Sequence, residues 1–139
     1  MTAATLIDAG PLVAMLHADD QDHEICVETF KGLRGPVFTT WIPVTEAMYL
    51  LGFSPRAQES LLRMLRREAI RILPIDLVDL DPIARLMSKY RDLPMDFADA
   101  ALVQVAYREK IRRIFTLDNR DFSVYRLPNG NALEVIPGY

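Results

Sequence analysis

The chain reads as a parallel α/β layer protein, and three observations carry that reading. Short, almost wholly apolar runs of strand length alternate with longer stretches of helical periodicity. Gly, Pro, Asp and Asn gather at the boundaries between them. The 139 residues are 50% hydrophobic and 25% charged, an ordinary globular composition for one domain spanning 1–139, which excludes disordered and collagen-like chains.

Taken in order, Ala3 to Ile7 forms a first buried strand, stopped by Asp8-Ala9-Gly10. From Pro11 the pattern is helical, with Leu12, Met15 and Leu16 on one face. A second helix runs from about Asp22 to Leu33, before Gly35-Pro36. Val37 to Thr40 is a second strand, and Pro43 opens a helix that carries Thr45, Glu46, Met48 and Leu50. Arg56 to Ala69 is an amphipathic helix. Ile70 to Ile75 is a third strand, which Pro74 places at an edge or ends. A helix from about Asp79 to Tyr90 precedes a strongly apolar one from Phe97 to Glu109, which must be packed on more than one side. Ile114 to Leu117 is a fourth strand, ended by Asp118-Asn119-Arg120-Asp121, and Leu133 to Ile136 a last one after the turn at Pro128-Asn129-Gly130-Asn131.

Composition narrows the chemistry. The lone Cys26 cannot form an intramolecular disulfide and reads as a small buried hydrophobe. With His17 and His23 the only histidines, a zinc cluster is excluded. No apolar run approaches the ~18 residues of a membrane span, so a reducing, cytoplasmic location is expected. The net charge of −3 argues at first against a nucleic-acid partner. Its distribution is uneven: residues 1–54 hold two bases against seven acids, and residues 55–139 hold 14 bases against 12 acids.

The acids fall at informative places. Asp8 and Asp118 each follow a strand, and in open parallel sheets ligands bind beyond the carboxyl ends of strands, where the strand order reverses. Glu46 and Asp99 lie in early turns of helices that begin after a proline, and Asp96 precedes Asp99 by three residues. Singly, Glu46, Asp96 and Asp99 are explained as well by a helix dipole, and Asp118 by an Asx turn. Jointly they imply desolvated carboxylates brought near one another, a conflict that a divalent cation resolves. Hard oxygen donors without Cys or His clusters suit Mg²⁺ or Mn²⁺.

Four segments, Thr5-Leu6-Ile7-Asp8-Ala9-Gly10-Pro11, Thr45-Glu46-Ala47, Met95-Asp96-Phe97-Ala98-Asp99 and Phe115-Thr116-Leu117-Asp118-Asn119-Arg120-Asp121-Phe122, resemble the successive motifs of a PIN domain, more narrowly a VapC-type toxin of toxin–antitoxin pairs. The likeness spans nearly the whole chain, in order. It implies a three-layer α/β/α fold with a central, mainly parallel sheet, and a Mg²⁺- or Mn²⁺-dependent endoribonuclease. Asp8, Glu46, Asp99 and Asp118 match the family's acidic quartet, Asp96 an additional acid of some members, and Thr116 the hydroxyl residue that often precedes the last acid. Gly10 departs from the Ser or Thr of many members. The resemblance also implies an RNA substrate, a cognate antitoxin and a homodimer.

For substrate contact Arg120, beside Asp118, is the foremost basic candidate. Most other basic residues, in the stretches Arg56 to Arg71 and Arg108 to Arg113, read as solvated helix faces, and Trp41 and Tyr49 as core. Two other readings compete: a PIN-fold binding module without chemistry, and a phosphoacceptor α/β domain. The latter wants a second Asp where Gly10 stands, or paired acids beside Asp8 and a late Lys.

Overall fold

The computed structural model describes residues 3–138. Strands β1 (Thr5–Ile7), β2 (Val37–Thr39), β3 (Arg71–Ile72), β4 (Arg113–Phe115) and β5 (Glu134–Ile136) form one all-parallel sheet in the order β3-β2-β1-β4-β5. Seven helices connect them among the described residues: α1 (Ala9–Leu16), α2 (His23–Gly32), α3 (Trp41–Leu50), α4 (Pro55–Arg66), α5 (Leu80–Lys89), α6 (Phe97–Glu109) and α7 (Asn119–Val124). The chain winds outward from β1 to β2 and β3, then returns to place β4 on the other side. The switch point therefore lies between β1 and β4, where the Asp8 N–H donates to the Phe115 carbonyl at 3.0 Å.

Strand alternation divides the interior. Leu6 and Ile114 pack into a core with α5, α6 and α7, whereas Ile7 and Phe115 face a second core beneath α1 to α4. Both faces of the central strands are covered, hence their continuous apolar sequence. Helix α6 is buried continuously from Asp99 to Ala106, as its nearly unbroken apolar run requires.

Several boundaries differ from expectation: α1 begins at Ala9 rather than Pro11, α4 ends at Arg66 rather than Ala69, and β3 spans only Arg71–Ile72. Helix α3 begins at Trp41, because Thr40 rather than Ile42 is its cap; the Thr40 hydroxyl accepts from the Ile42 N–H at 3.3 Å. Pro43 is tolerated inside the first turn, where backbone N–H groups have no helical partner. Strand β4 is shifted toward the N-terminus, so Asp118 stands beyond Thr116 and Leu117 instead of directly after the strand. The residues after it form α7, too short to show periodicity, where a loop was expected. Among the described residues no helix is long and apolar enough to cross a membrane.

Candidate active site

Helices α1, α6 and α7 each begin with an aspartate cap. The Ala9 N–H donates to Asp8 Oδ1 at 2.8 Å, the Asp99 N–H to Asp96 Oδ1 at 2.9 Å, and the Asp121 N–H to Asp118 Oδ1 at 3.4 Å. The modest explanation of these acids is thus correct, and it is incomplete. Capping occupies one oxygen of each carboxylate, and capping alone does not bring acids from distant segments together.

Thr116 joins two of them. Its hydroxyl donates to Asp8 Oδ2 at 3.1 Å and accepts from the Asp118 N–H at 3.0 Å, so β4 locks the carboxylate that follows β1. Thr116 itself is buried. Asp99 is 8% exposed, and its Oδ2 lies 3.4 Å from the hydroxyl of the fully buried Tyr125. Neither Tyr125 nor Asp121 stands out in the sequence. A tyrosine between Val124 and Arg126 carries no local signal of a site, and its hydroxyl's partner lies 26 residues away.

Electrostatics shows which acids sense one another. Burial, with the charges of Glu46 and Asp118 added, pushes the Asp8 carboxyl up to about 6 despite its bonds from Ala9 and Thr116. Burial followed by the charges of Asp96, Asp8 and Asp118 pushes Asp99 up to about 7. Asp118 is also raised, by burial and then by Asp121. Asp8, Glu46, Asp96, Asp99 and Asp118, drawn from four separate segments, therefore share one electrostatic neighbourhood. Glu46 and Asp96 stand at its exposed side. Among the described residues no Lys, Arg or His forms an ion pair with any of the five. Nor, among those residues, are three acid, His or Cys side chains drawn tightly enough together to hold an ion as they stand.

Other candidates fall elsewhere. Arg120 is exposed on α7 and pairs with none of these acids among the described residues. Arg108 is a structural residue: its Nη1 meets Asp79 Oδ2 at 2.6 Å under the cover of α5 and α6. Burial alone would raise Asp79, but the Asp76 N–H, Gln104 and Arg108 outweigh it and hold the carboxyl below its usual range. Cys26 is fully buried and its thiol is pushed up to about 11 by burial, as befits an inert core residue. Trp41 and Tyr49 are not core: they are 59% and 83% exposed, because both occupy the face of α3 that no other element covers.

The fold and the clustered acids define a class. The PIN domain family profile matches residues 5–127, and the chain belongs to that family. Among individual relatives it is similar to Ribonuclease VapC26 of Mycobacterium tuberculosis, at 31% identity over 134 residues, 95% of this chain and 99% of the relative. In three dimensions it resembles Mycobacterium tuberculosis VapC20, described as a sarcin-ricin loop cleaving toxin, with a TM-score of 0.76 and 15% identity over 84% of this chain and 91% of the other. VapBC2 from Rickettsia felis, solved bound to a promoter DNA fragment, superposes with a TM-score of 0.64 and 16% identity over 95% of this chain and 98% of the other.

Proposed function

We propose that this chain is a divalent-metal-dependent endoribonuclease, the toxin of a toxin–antitoxin pair. The observation that carries the chemistry is the pair of carboxylates at the switch point, half-buried Asp8 and buried Asp99, both raised by burial and further by neighbouring acids, and neither paired with a cation among the described residues. Relatives with this fold that are described as ribonucleases and as toxin–antitoxin complexes support the biological setting.

The all-oxygen donor set and its uncompensated charge fit Mg²⁺ or Mn²⁺. Asp8 and Asp99 are the principal ligands in this reading, with Glu46 and Asp118 completing the set and Asp96 beside it. When bound, the cation supplies positive charge that polarises a phosphodiester and acidifies water.

The chain's own residues prepare that site. Thr116 holds the Asp8 carboxylate and the Asp118 backbone in fixed relation, so the Asp8 side chain does not rotate freely into solvent. The Asp96 cap sets the start of α6, and with it the depth at which Asp99 stands. Tyr125 closes the inner side of Asp99 against water. Three helix N-termini arriving at these caps add favourable potential for anions. Arg120, exposed two residues after Asp118, is the basic side chain this reading assigns to the RNA backbone. The exposed Trp41, Tyr49 and Leu50 of α3, with Phe53 in the turn after it, support a protein-binding face suited to an antitoxin or to the second subunit of a homodimer.

The deciding experiment maps cleavage of total RNA with Mn²⁺ or Mg²⁺ and with chelator. Cleavage present with metal, and absent with chelator and in Asp8→Asn, is the expected result. Chelator-resistant cleavage, or full activity of Asp8→Asn, refutes the proposal.

A further inference from the structure

Away from the acids, two cavities of about 350 Å³ and 920 Å³ meet along α5, α6 and the segment after α7, sharing Tyr107 and Leu127 as walls. Arg85, Lys89 and Arg126 line the first, and Lys110 and Arg112 the second. No carboxylate lines either, in a chain whose net charge is −3. Arg108 also borders the second cavity, but Asp79 and Glu109 hold it. A helix C-terminus attracts cations, which accounts for Lys110 at the end of α6. It also accounts for Lys89 in the last turn of α5, but not for Arg85 on that helix or for Arg112 leading into β4.

One further feature fits a nucleic acid. Tyr107, 43% exposed at the junction, offers a ring face between cationic walls, the combination single-stranded nucleic acids use for base stacking and backbone contact. The groove also backs onto the acids: Arg126 follows Tyr125, and the Arg126 N–H donates to the Tyr90 hydroxyl at 2.8 Å beside the Tyr125 ring.

We infer that this α5–α6 groove is a second RNA-binding site, which holds the backbone of a single-stranded stretch of the substrate outside the cleavage centre. The inference rests on the ribonuclease reading above and deepens it: the favoured substrates are RNAs long enough to occupy both sites. Arg126 is left out of the test because its guanidinium bonds the carbonyls of Ser123, Val124 and Tyr125.

The test compares Asp99→Asn with Asp99→Asn carrying Arg85→Gln, Lys89→Gln and Arg112→Gln, by fluorescence anisotropy with a labelled single-stranded RNA of about 20 nucleotides across a salt series. Loss of three phosphate contacts should weaken binding roughly tenfold or more and reduce the slope of log K against log salt by about 2. In the otherwise active protein, the same three substitutions should lower kcat/KM more on a long RNA than on a tetranucleotide. Equal binding and equal salt slopes overturn the inference. So does a loss of affinity confined to an acidic peptide, which would assign the groove to a protein partner. If the triple variant melts early, Arg112→Gln alone is read in the same way, with an expected slope change of about 0.7. Because binding is measured without cleavage, failure of the groove is separable from failure of the ribonuclease reading.

Discussion

Replacing Asp99 by asparagine should stabilise the metal-free protein at neutral pH while abolishing its activity. The folded carboxyl is raised from 3.8 to about 7, so the folded state holds its proton more tightly than the unfolded state does. Its contribution to stability is fully present below the unfolded value and is lost as pH rises toward 7. At about 1.4 kcal/mol per tenfold change, the loss at pH ~7.5 reaches a ceiling of about 4 kcal/mol. Asp8, Asp96 and Asp118 share in that repulsion, so a gain of about 2–4 kcal/mol is expected from the single substitution. For a domain of this size that is roughly 8–16 °C in Tm. Thermal melts followed by circular dichroism in chelator, from about pH 4 to pH 7.5, should show the variant's advantage growing with pH. Added Mn²⁺ should cancel or reverse the ranking, since a ligand at 1,000 times its Kd adds about 4.1 kcal/mol to the protein that binds it. An Asp99→Asn protein that is less stable than the parent at neutral pH, or whose advantage is flat with pH, would refute the reasoning.

Other substitutions separate structure from chemistry. Thr116→Val removes the hydroxyl between Asp8 and Asp118 without changing volume; it should cost about 1–2 kcal/mol in denaturant titration and reduce cleavage with metal. Arg108→Met leaves Asp79 buried without its cation and should cost about 3–5 kcal/mol. Because the Asp79 carboxyl is held low, the stability it confers on the parent is present at neutral pH and lost on acidification, which a pH series of melts will show. Tyr125→Phe removes the hydroxyl on the inner side of Asp99 and should weaken Mn²⁺ binding, read by calorimetry, with only a small change in Tm.

A large part of this molecule was legible before any coordinate. Alternating apolar runs of strand length and helical periodicity lead to the all-parallel sheet, because a strand covered on both faces has no polar side to show. The strongly apolar character of Phe97 to Glu109 foretold the burial of Asp99 to Ala106. Asp8, Asp96 and Asp99 were legible by position, since strand ends and first helical turns are local features; Glu46, expected in an early turn, lies in the second turn of α3 because that helix begins at Trp41, and Asp118 stands beyond the end of β4. Trp41 and Tyr49 were misjudged for the complementary reason: large aromatic residues default to the interior, and only the packing of α3 shows that nothing covers them.

By itself, then, the sequence determined the layer class, the order of its elements and the positions of Asp8, Asp96 and Asp99 within them. These follow from periodicity and capping, which act over a few residues. Tertiary structure alone decided that β4 returns beside β1, which places Thr116 between Asp8 and Asp118 across 108 residues of chain. It also decided that Tyr125 meets Asp99, that Arg108 serves Asp79, and that the cations of α5, α6 and β4 line one groove. Contacts of this kind depend on strand order and helix packing, and no local pattern of residues encodes them.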